Sequence, residues 1–236
     1  MKFHFEATLG YWDSLQVPYY LCDASSTLRF SNLFRLWTQT SINQAHMVGD
    51  QSLGWVVYSW RGEIFSLPSQ GDQVYSVTIP YAFDRFYGKR NFLLLDQEKN
   101  ILALADSYWL FVDLKAGRAI RIPEKTRKLY PLDESVYMKK KPRLIQEKAY
   151  DSVTQFQVLK KNIDMNRHVN NAVIIDWFEE LFPEKKQLKD FSFNYKKQLL
   201  YGQNYQIHYK NSKDSSMDFL LASGKDAHVL ANIRWA

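Results

Sequence analysis

Cysteine is almost missing from this chain: Cys22 is the only one in 236 residues. No intramolecular disulfide and no cysteine metal cluster can form from it, and a cysteine–histidine nucleophile pair needs Cys22 itself to fold beside a histidine. Long apolar runs are missing too. The longest stretches, such as Ile101 to Ala105 and Trp109 to Val112, are strand-sized, far short of the roughly 20 residues that cross a bilayer, so no membrane insertion is expected. The opening Met1-Lys2-Phe3-His4-Phe5-Glu6 places charge where an export signal needs a continuous apolar stretch, and a cytoplasmic location is the expectation. Zinc-finger spacing, a basic heptad helix and an aromatic RNA-binding signature are all lacking, which argues against nucleic acid. His4, His46, His208 and His228 show no regular spacing with carboxylates or with one another, so neither a metal nor any other cofactor is expected.

What the chain has is apolar and aromatic material. Hydrophobic residues make up 46% and aromatics 16%, enough to pack an interior and exclude a disordered chain. The net charge of +6 favours an acidic partner, and composition leaves nucleic acid, an anionic membrane surface and an acidic protein equally open.

An internal repeat organises the sequence. Residues 93–109, LLLDQEKNILALADSYW, align without a gap to residues 219–235, FLLASGKDAHVLANIRW, and Leu94/Leu220, Leu95/Leu221, Lys99/Lys225, Leu104/Leu230, Ala105/Ala231 and Trp109/Trp235 coincide. Each copy reads as a β-hairpin with a polar turn. Ahead of the first copy, Ser25-Ser26 can cap a helix with Phe30, Leu33, Phe34, Trp37 and Ala45 on one face, followed by strands over 55–60, 63–67 and 73–79. Ahead of the second, Asn170 or Asn171 can cap a helix with Val173, Ile174, Trp177, Phe178 and Leu181 on one face, stopped by Pro183 and followed by strands over 191–199 and 205–209. Each half is an apolar helix followed by an antiparallel meander, which predicts an α+β double hotdog: a first domain over 1–125, a basic linker over 126–149 and a second domain over 150–236. Pro123 stands just ahead of the linker, Pro131 near its start, and Pro142 within a run of Lys139, Lys140, Lys141 and Arg143. That run is either a solvated surface or a docking patch for an acidic protein.

Candidate chemistry gathers just before the second helix. Asp164, Asn166 and His168 alternate with Met165, Arg167 and Val169, so an extended backbone projects the three polar groups from one side. They precede a helix start, whose free N–H groups and dipole favour negative charge and suit an oxyanion. His168 is suited to the role of base, Asn166 to orient water or donate to a carbonyl, and Asp164 to orient its neighbours. The same residue types also make turns and caps before helices, and spacing alone leaves both readings open.

The segment Asp164-Met165-Asn166-Arg167-His168-Val169-Asn170-Asn171, with Trp177 on the following helix, resembles the D-x-N-x-H-V-N-N segment of the acyl-ACP thioesterases of plants and bacteria. Further likeness lies in residues 86–92 (FYGKRNF), in 105–109 (ADSYW) through Asp113, and in Arg121-Ile122-Pro123. The resemblance implies two tandem hotdog domains, hydrolysis of fatty acyl-ACP, and a first half that shapes the acyl pocket. Asp164, Asn166 and His168 become the catalytic residues, and Trp37, Trp55, Asn170 and Asn171 the candidates for substrate contact. The partner it implies is the acidic acyl carrier protein, with the chain a monomer or a homodimer. One departure stands out: the family's Tyr-basic-basic-Glu is Tyr195-Lys196-Lys197-Gln198 here, and the next residue is Leu199 where plant members have cysteine. Gln198 cannot act as a base, but its amide oxygen can position water. Direct water attack is expected, since no Gly-x-Ser-x-Gly elbow is present. A hydratase is disfavoured because Arg167 stands where its Asp-x-Asn-Pro-x-His pattern needs proline. Acyl-CoA hydrolysis and a non-catalytic acyl-thioester binding module are the alternatives.

Overall fold

The computed structural model describes residues 10–50, 54–113, 115–133, 137–139, 141–142, 145, 149–164, 167–183, 186–212 and 214–236. The chain divides into two compact units, residues 1–142 and 143–236.

In unit 1, strand β1 (Tyr11–Gln16) leads through a short 3-10 turn to helix α1 (Phe30–Met47), and then to β2 (Trp55–Ile64), β3 (Gln73–Phe83), β4 (Tyr87–Leu95), β5 (Ile101–Asp113), the two-residue β6 (Arg118–Ala119) and helix α2 (Glu124–Leu129). The strands pair antiparallel in the order β1-β3-β4-β5-β2, with β6 on β5. Phe30, Leu33, Phe34 and Trp37 recur at helical spacing and are buried, because α1 lies against the face of the sheet formed by β1, β3 and β4. Its start differs from the expected Ser25-Ser26 cap. The N-cap is Arg29, without a side-chain cap bond, because the Asp23 carboxylate accepts the N–H groups of Ser25 (2.8 Å) and Thr27 (3.0 Å) and turns the chain first. The strands expected at 55–60 and 63–67 are one: Arg61 and Gly62 continue the ladder against Asp106 and Ala105.

Unit 2 repeats the scheme. Strand β7 (Ser152–Gln157), helix α3 (Asn171–Glu179), β8 (Leu188–Tyr195), β9 (Asn204–Ser212), β10 (Ser216–Ser223) and β11 (Asp226–Trp235) form an antiparallel sheet in the order β8-β11-β10-β9-β7. Replacing β1 by β7 and β2–β5 by β8–β11 maps one strand order onto the other, so the hairpin repeat in the sequence is the β4–β5 and β10–β11 pair of two identical topologies. Even the polar interruption recurs. Asn91 faces Asp106 across β4–β5, and Asp218 faces Asn232 across β10–β11, all four buried. Phe178 on α3 stacks on Phe193 and Phe219 of the sheet, with centroids at 6.3 and 4.8 Å, and Trp177 stacks on Phe156 at 5.5 Å. Each unit is a helix enclosed by an antiparallel sheet, the hotdog arrangement. None of the described helices is long and apolar enough to cross a membrane.

The segment expected as a linker over 126–149 has both of its ends held. The Asn91 side chain accepts the N–H groups of Tyr137 (2.9 Å) and Met138 (3.0 Å) and donates to the Met138 carbonyl at 2.7 Å. Asn194 on β8 likewise accepts the Ile145 N–H at 3.1 Å. Tyr137 and Met138 are thereby bound to unit 1 and Ile145 to unit 2. Lys140 and Arg143 lie outside the described residues.

Gly54 shows how close the packing is at the start of β2. A Cβ there would lie 2.7 Å from the Val112 carbonyl oxygen, the residue whose own N–H donates to the Gly54 carbonyl at 2.8 Å. Gly54→Ala must displace backbone, and a loss of about 1–3 kcal/mol in urea unfolding is expected.

Candidate active site

The polar segment ahead of α3 is a closed loop. A 3-10 turn (Lys160–Asn162) is fixed by Asn162, whose side chain accepts the Leu159 N–H at 2.8 Å and whose carbonyl accepts the Asn170 N–H at 3.1 Å. Ile163 and Val169 then pair as an antiparallel bridge. Within it the Asp164 N–H donates to the His168 carbonyl and the Arg167 N–H to the Asp164 carbonyl, both at 3.0 Å. Arg167 sits at φ 64°, in the left-handed region. The expected extended alternation of Asp164, Asn166 and His168 is thus corrected: the backbone doubles back on itself, and what brings Asp164 and His168 together is a main-chain hydrogen bond. Both are half-buried, while Asn166 lies outside the described residues.

Asn170 is the helix cap. Its side chain accepts the Ala172 N–H and its carbonyl the Val173 N–H, both at 2.9 Å, so two of the N–H groups at this end serve the cap. Asn171 is the first helical residue, half-buried beside it. His168 stands two residues before the cap, at the end where the macrodipole favours negative charge.

The loop is tied directly to the segment that carries the departure from the family pattern. The Val169 N–H donates to the Leu199 carbonyl at 3.1 Å, which makes Gln198 and His168 sequence neighbours of the two ends of one hydrogen bond. Gln198 is exposed, and its carbonyl lies 3.0 Å from His228 Nδ1, the tautomer with a proton on Nδ1 making this a donation from the imidazole. Tyr205 packs edge-on to the His228 ring at 5.0 Å. Its hydroxyl accepts the Leu200 N–H at 3.0 Å and donates to Gln203 Oε1 at 2.7 Å. Three consecutive residues, 198 to 200, are held by three different partners. His228, to which sequence spacing gives no role, therefore holds the segment that follows β8. No sequence signal marks it, because its partner is a main-chain oxygen 30 positions away.

Tyr195, just ahead, has a buried hydroxyl with no protein hydrogen-bond partner among the described residues, and burial pushes its ionisation well above the ordinary tyrosine value. It shares a face of β8 with Phe191 and Phe193, the latter stacked on α3.

Trp37 and Trp55 belong to unit 1. Trp37 is fully buried, stacked on Trp60 at 5.7 Å and edge-on to Phe34 at 5.6 Å. Trp55 is half-buried and donates its indole N–H to Asp50 at 3.0 Å. Tyr130 donates to the same Asp50 oxygen at 2.7 Å. Beside them Arg90 donates to Gln44 (3.3 Å) and Thr78 (3.2 Å), with its guanidinium 5.6 Å from the Tyr130 ring centre. Burial lowers the Arg90 pKa while Tyr130 and Asp50 oppose the shift, and guanidinium remains a cation under such conditions. The interior of unit 1 thus combines an aromatic cluster with a hydrogen-bonded Asp50 and a nearby Arg90.

Two tandem hotdog units, the second with a polar loop folded against the N-terminus of its helix, define a double-hotdog protein with a candidate thioester site. The chain belongs to the acyl-ACP thioesterase family: the model of the family's N-terminal domain matches residues 9–130 and that of its C-terminal domain residues 145–236. Oleoyl-acyl carrier protein thioesterase 1 of Arabidopsis thaliana, a chloroplastic protein, is 24% identical over 206 residues, 76% of this chain and 57% of the relative. The chain spans about half the length of the curated relatives it matches. The crystal structure of an acyl-ACP thioesterase from Bacteroides thetaiotaomicron shares the fold with a TM-score of 0.85 at 17% identity, over 96% of this chain and 98% of that one. The 12:0-ACP thioesterase from Umbellularia californica does so with a TM-score of 0.85 at 19% identity, over 98% of this chain and 99% of that one.

Proposed function

We propose that this chain hydrolyses the thioester of fatty acyl-ACP to free fatty acid and holo-ACP, with His168 assisting attack by water. The observation that supports it is the closed loop from Ile163 to Val169, set at the N-terminus of α3 and bonded to the Gln198–Leu200 wall in a member of the acyl-ACP thioesterase family. Neutral His168 takes a proton from water as its oxygen bonds to the carbonyl carbon. The oxyanion collapses, the C–S bond breaks, and the phosphopantetheine sulfur leaves as a thiol with the proton returned from the imidazole. The half-buried Asp164 orients this end of the loop through its main-chain bonds, and Asn166 is assigned to the substrate carbonyl or the water. A cytoplasmic location is part of the proposal, consistent with a single, free cysteine.

Gln198 is assigned to water positioning by its amide oxygen. On this account Gln198→Glu, which puts a basic oxygen in the same place, raises kcat on acyl-ACP by about threefold to tenfold, read by steady-state release of fatty acid. An unchanged kcat removes Gln198 from the site.

Gln198 also favours a second reading, a module that binds acyl thioesters without cleaving them. Single-turnover mixing of excess protein with acyl-ACP separates the two. Conversion to free acid supports hydrolysis, and a stable complex with the thioester intact supports binding alone.

A further inference from the structure

A cavity of about 740 Å³ opens in unit 1 where the turn between β3 and β4 meets the segment leading into α2, lined by Phe83, Asp84, Arg85, Arg121, Ile122, Pro123, Glu124 and Arg127. Its walls are built. The Ile122 N–H donates to the Arg85 carbonyl at 3.1 Å, and Ile122 is buried. The Arg127 guanidinium donates to the carbonyls of Ile122 and Phe83 and to that of Asp84, joining α2 to the turn. The charge is one-sided. Asp84 is paired with Lys89 at 2.7 Å and Glu124 lies 4.0 Å from Lys128, whereas no described carboxylate forms an ion pair with Arg85, Arg121 or Arg127. Arg85 lies over the ring of Phe86 at 5.0 Å, which leaves the outer edge of its planar fork free to donate. Arg85 and Arg121 are both exposed. Residues 115–128 add Lys115, Arg118, Lys125 and Lys128, so this one stretch carries three lysines and three arginines against a single glutamate.

Exposed guanidinium groups around a concavity, where basic side chains outnumber the acids and Asp84 is already paired with Lys89, match a partner that presents several carboxylates on a folded surface. We propose that this cavity is the docking face for the acidic carrier protein, with Arg85 and Arg121 contacting its carboxylates. The proposal rests on the reading above that the acyl group arrives on such a carrier. It differs from a docking patch at Lys139 and Lys141, which are exposed lysines within the segment expected as a linker.

The test uses the full chain with Arg85→Glu/Arg121→Glu, a milder Arg85→Gln/Arg121→Gln pair, and Lys139→Glu/Lys141→Glu. Binding of holo-ACP is measured by fluorescence anisotropy, which requires no turnover and so reports docking even in a chain that does not hydrolyse. Hydrolysis of acyl-ACP, acyl-CoA and the uncharged acyl N-acetylcysteamine thioester is measured in parallel. The arginine reversal is expected to weaken holo-ACP binding about tenfold to hundredfold, with the glutamine pair intermediate and in the same direction. It is also expected to lower the ratio of kcat/KM for acyl-ACP over acyl N-acetylcysteamine by the same factor, through KM. The wild-type affinity should fall as salt rises, and less steeply in the reversed variant. Unchanged holo-ACP affinity in the arginine variants overturns the proposal, as does a larger loss in the Lys139/Lys141 variant. Equal loss on acyl-CoA with holo-ACP binding intact also overturns it, since the cavity then serves the nucleotide of coenzyme A.

Discussion

Replacing His168 with alanine lowers kcat for fatty acyl-ACP by about 10²–10⁴-fold, the range a positioned general base supplies, while affinity for the acyl carrier changes little. The loop that carries His168 is closed by the Ile163–Val169 bridge and by the Asp164 N–H to His168 carbonyl bond, and neither uses the imidazole. The variant therefore keeps the loop and loses only the base. The check is a pair of numbers from one preparation, the rate of fatty acid release and the Kd for acyl-ACP. A variant that loses binding as well as rate points to a structural histidine. One that keeps its rate removes His168 from the chemistry.

The second large effect is on stability. Asp50→Ala is expected to cost about 3 kcal/mol, read from the urea unfolding midpoint. Asp50 is buried and accepts from both Trp55 Nε1 and the Tyr130 hydroxyl, and its charge opposes the cost of burying the Arg90 guanidinium. Removing it strands two donors and an interior cation, and leaving one partner of a buried set uncompensated is what makes such truncations expensive. Asp50→Asn keeps an acceptor and loses the charge, so its cost should be smaller. Because Tyr130 comes after α2, the same substitution should loosen residues 124–130 from unit 1, seen as faster amide exchange there.

Much of this was legible in the chain. The Leu-rich hairpins revealed two equivalent units because the two strand pairs repeat the same residue types, although their cross-strand register differs by one residue. Phe30, Leu33, Phe34 and Trp37 on α1 and Ile174, Trp177 and Phe178 on α3 are buried as helical spacing predicts, whereas Val173 is half-buried and Leu181 lies beyond α3, with Ala172 and Ile175 buried instead. What escaped has physical reasons. The turn at Asp23 pre-empts the Ser25-Ser26 cap, since a carboxylate accepting two main-chain N–H groups competes locally with any cap two residues later. Asn91 and Asn194 anchor the two ends of the connecting segment, yet a single asparagine in a strand gives no pattern to read. Asp164, Asn166 and His168 stood out by composition, but their alternation suggested a strand where a bridge and a left-handed Arg167 make a loop. Charge is easiest to read in a sequence where it is contiguous. The lysine run at 139–141 is conspicuous because it is contiguous, whereas Arg85, Arg121 and Arg127 meet only through tertiary structure.

The account stands on thioester cleavage by this loop, and the most direct measurement is free fatty acid released by the wild-type chain from acyl-ACPs of several chain lengths, with matched acyl-CoAs alongside. The account predicts multiple turnovers on acyl-ACP, with kcat/KM higher than on the corresponding acyl-CoA. Tight binding of acyl-ACP with the thioester left intact contradicts it.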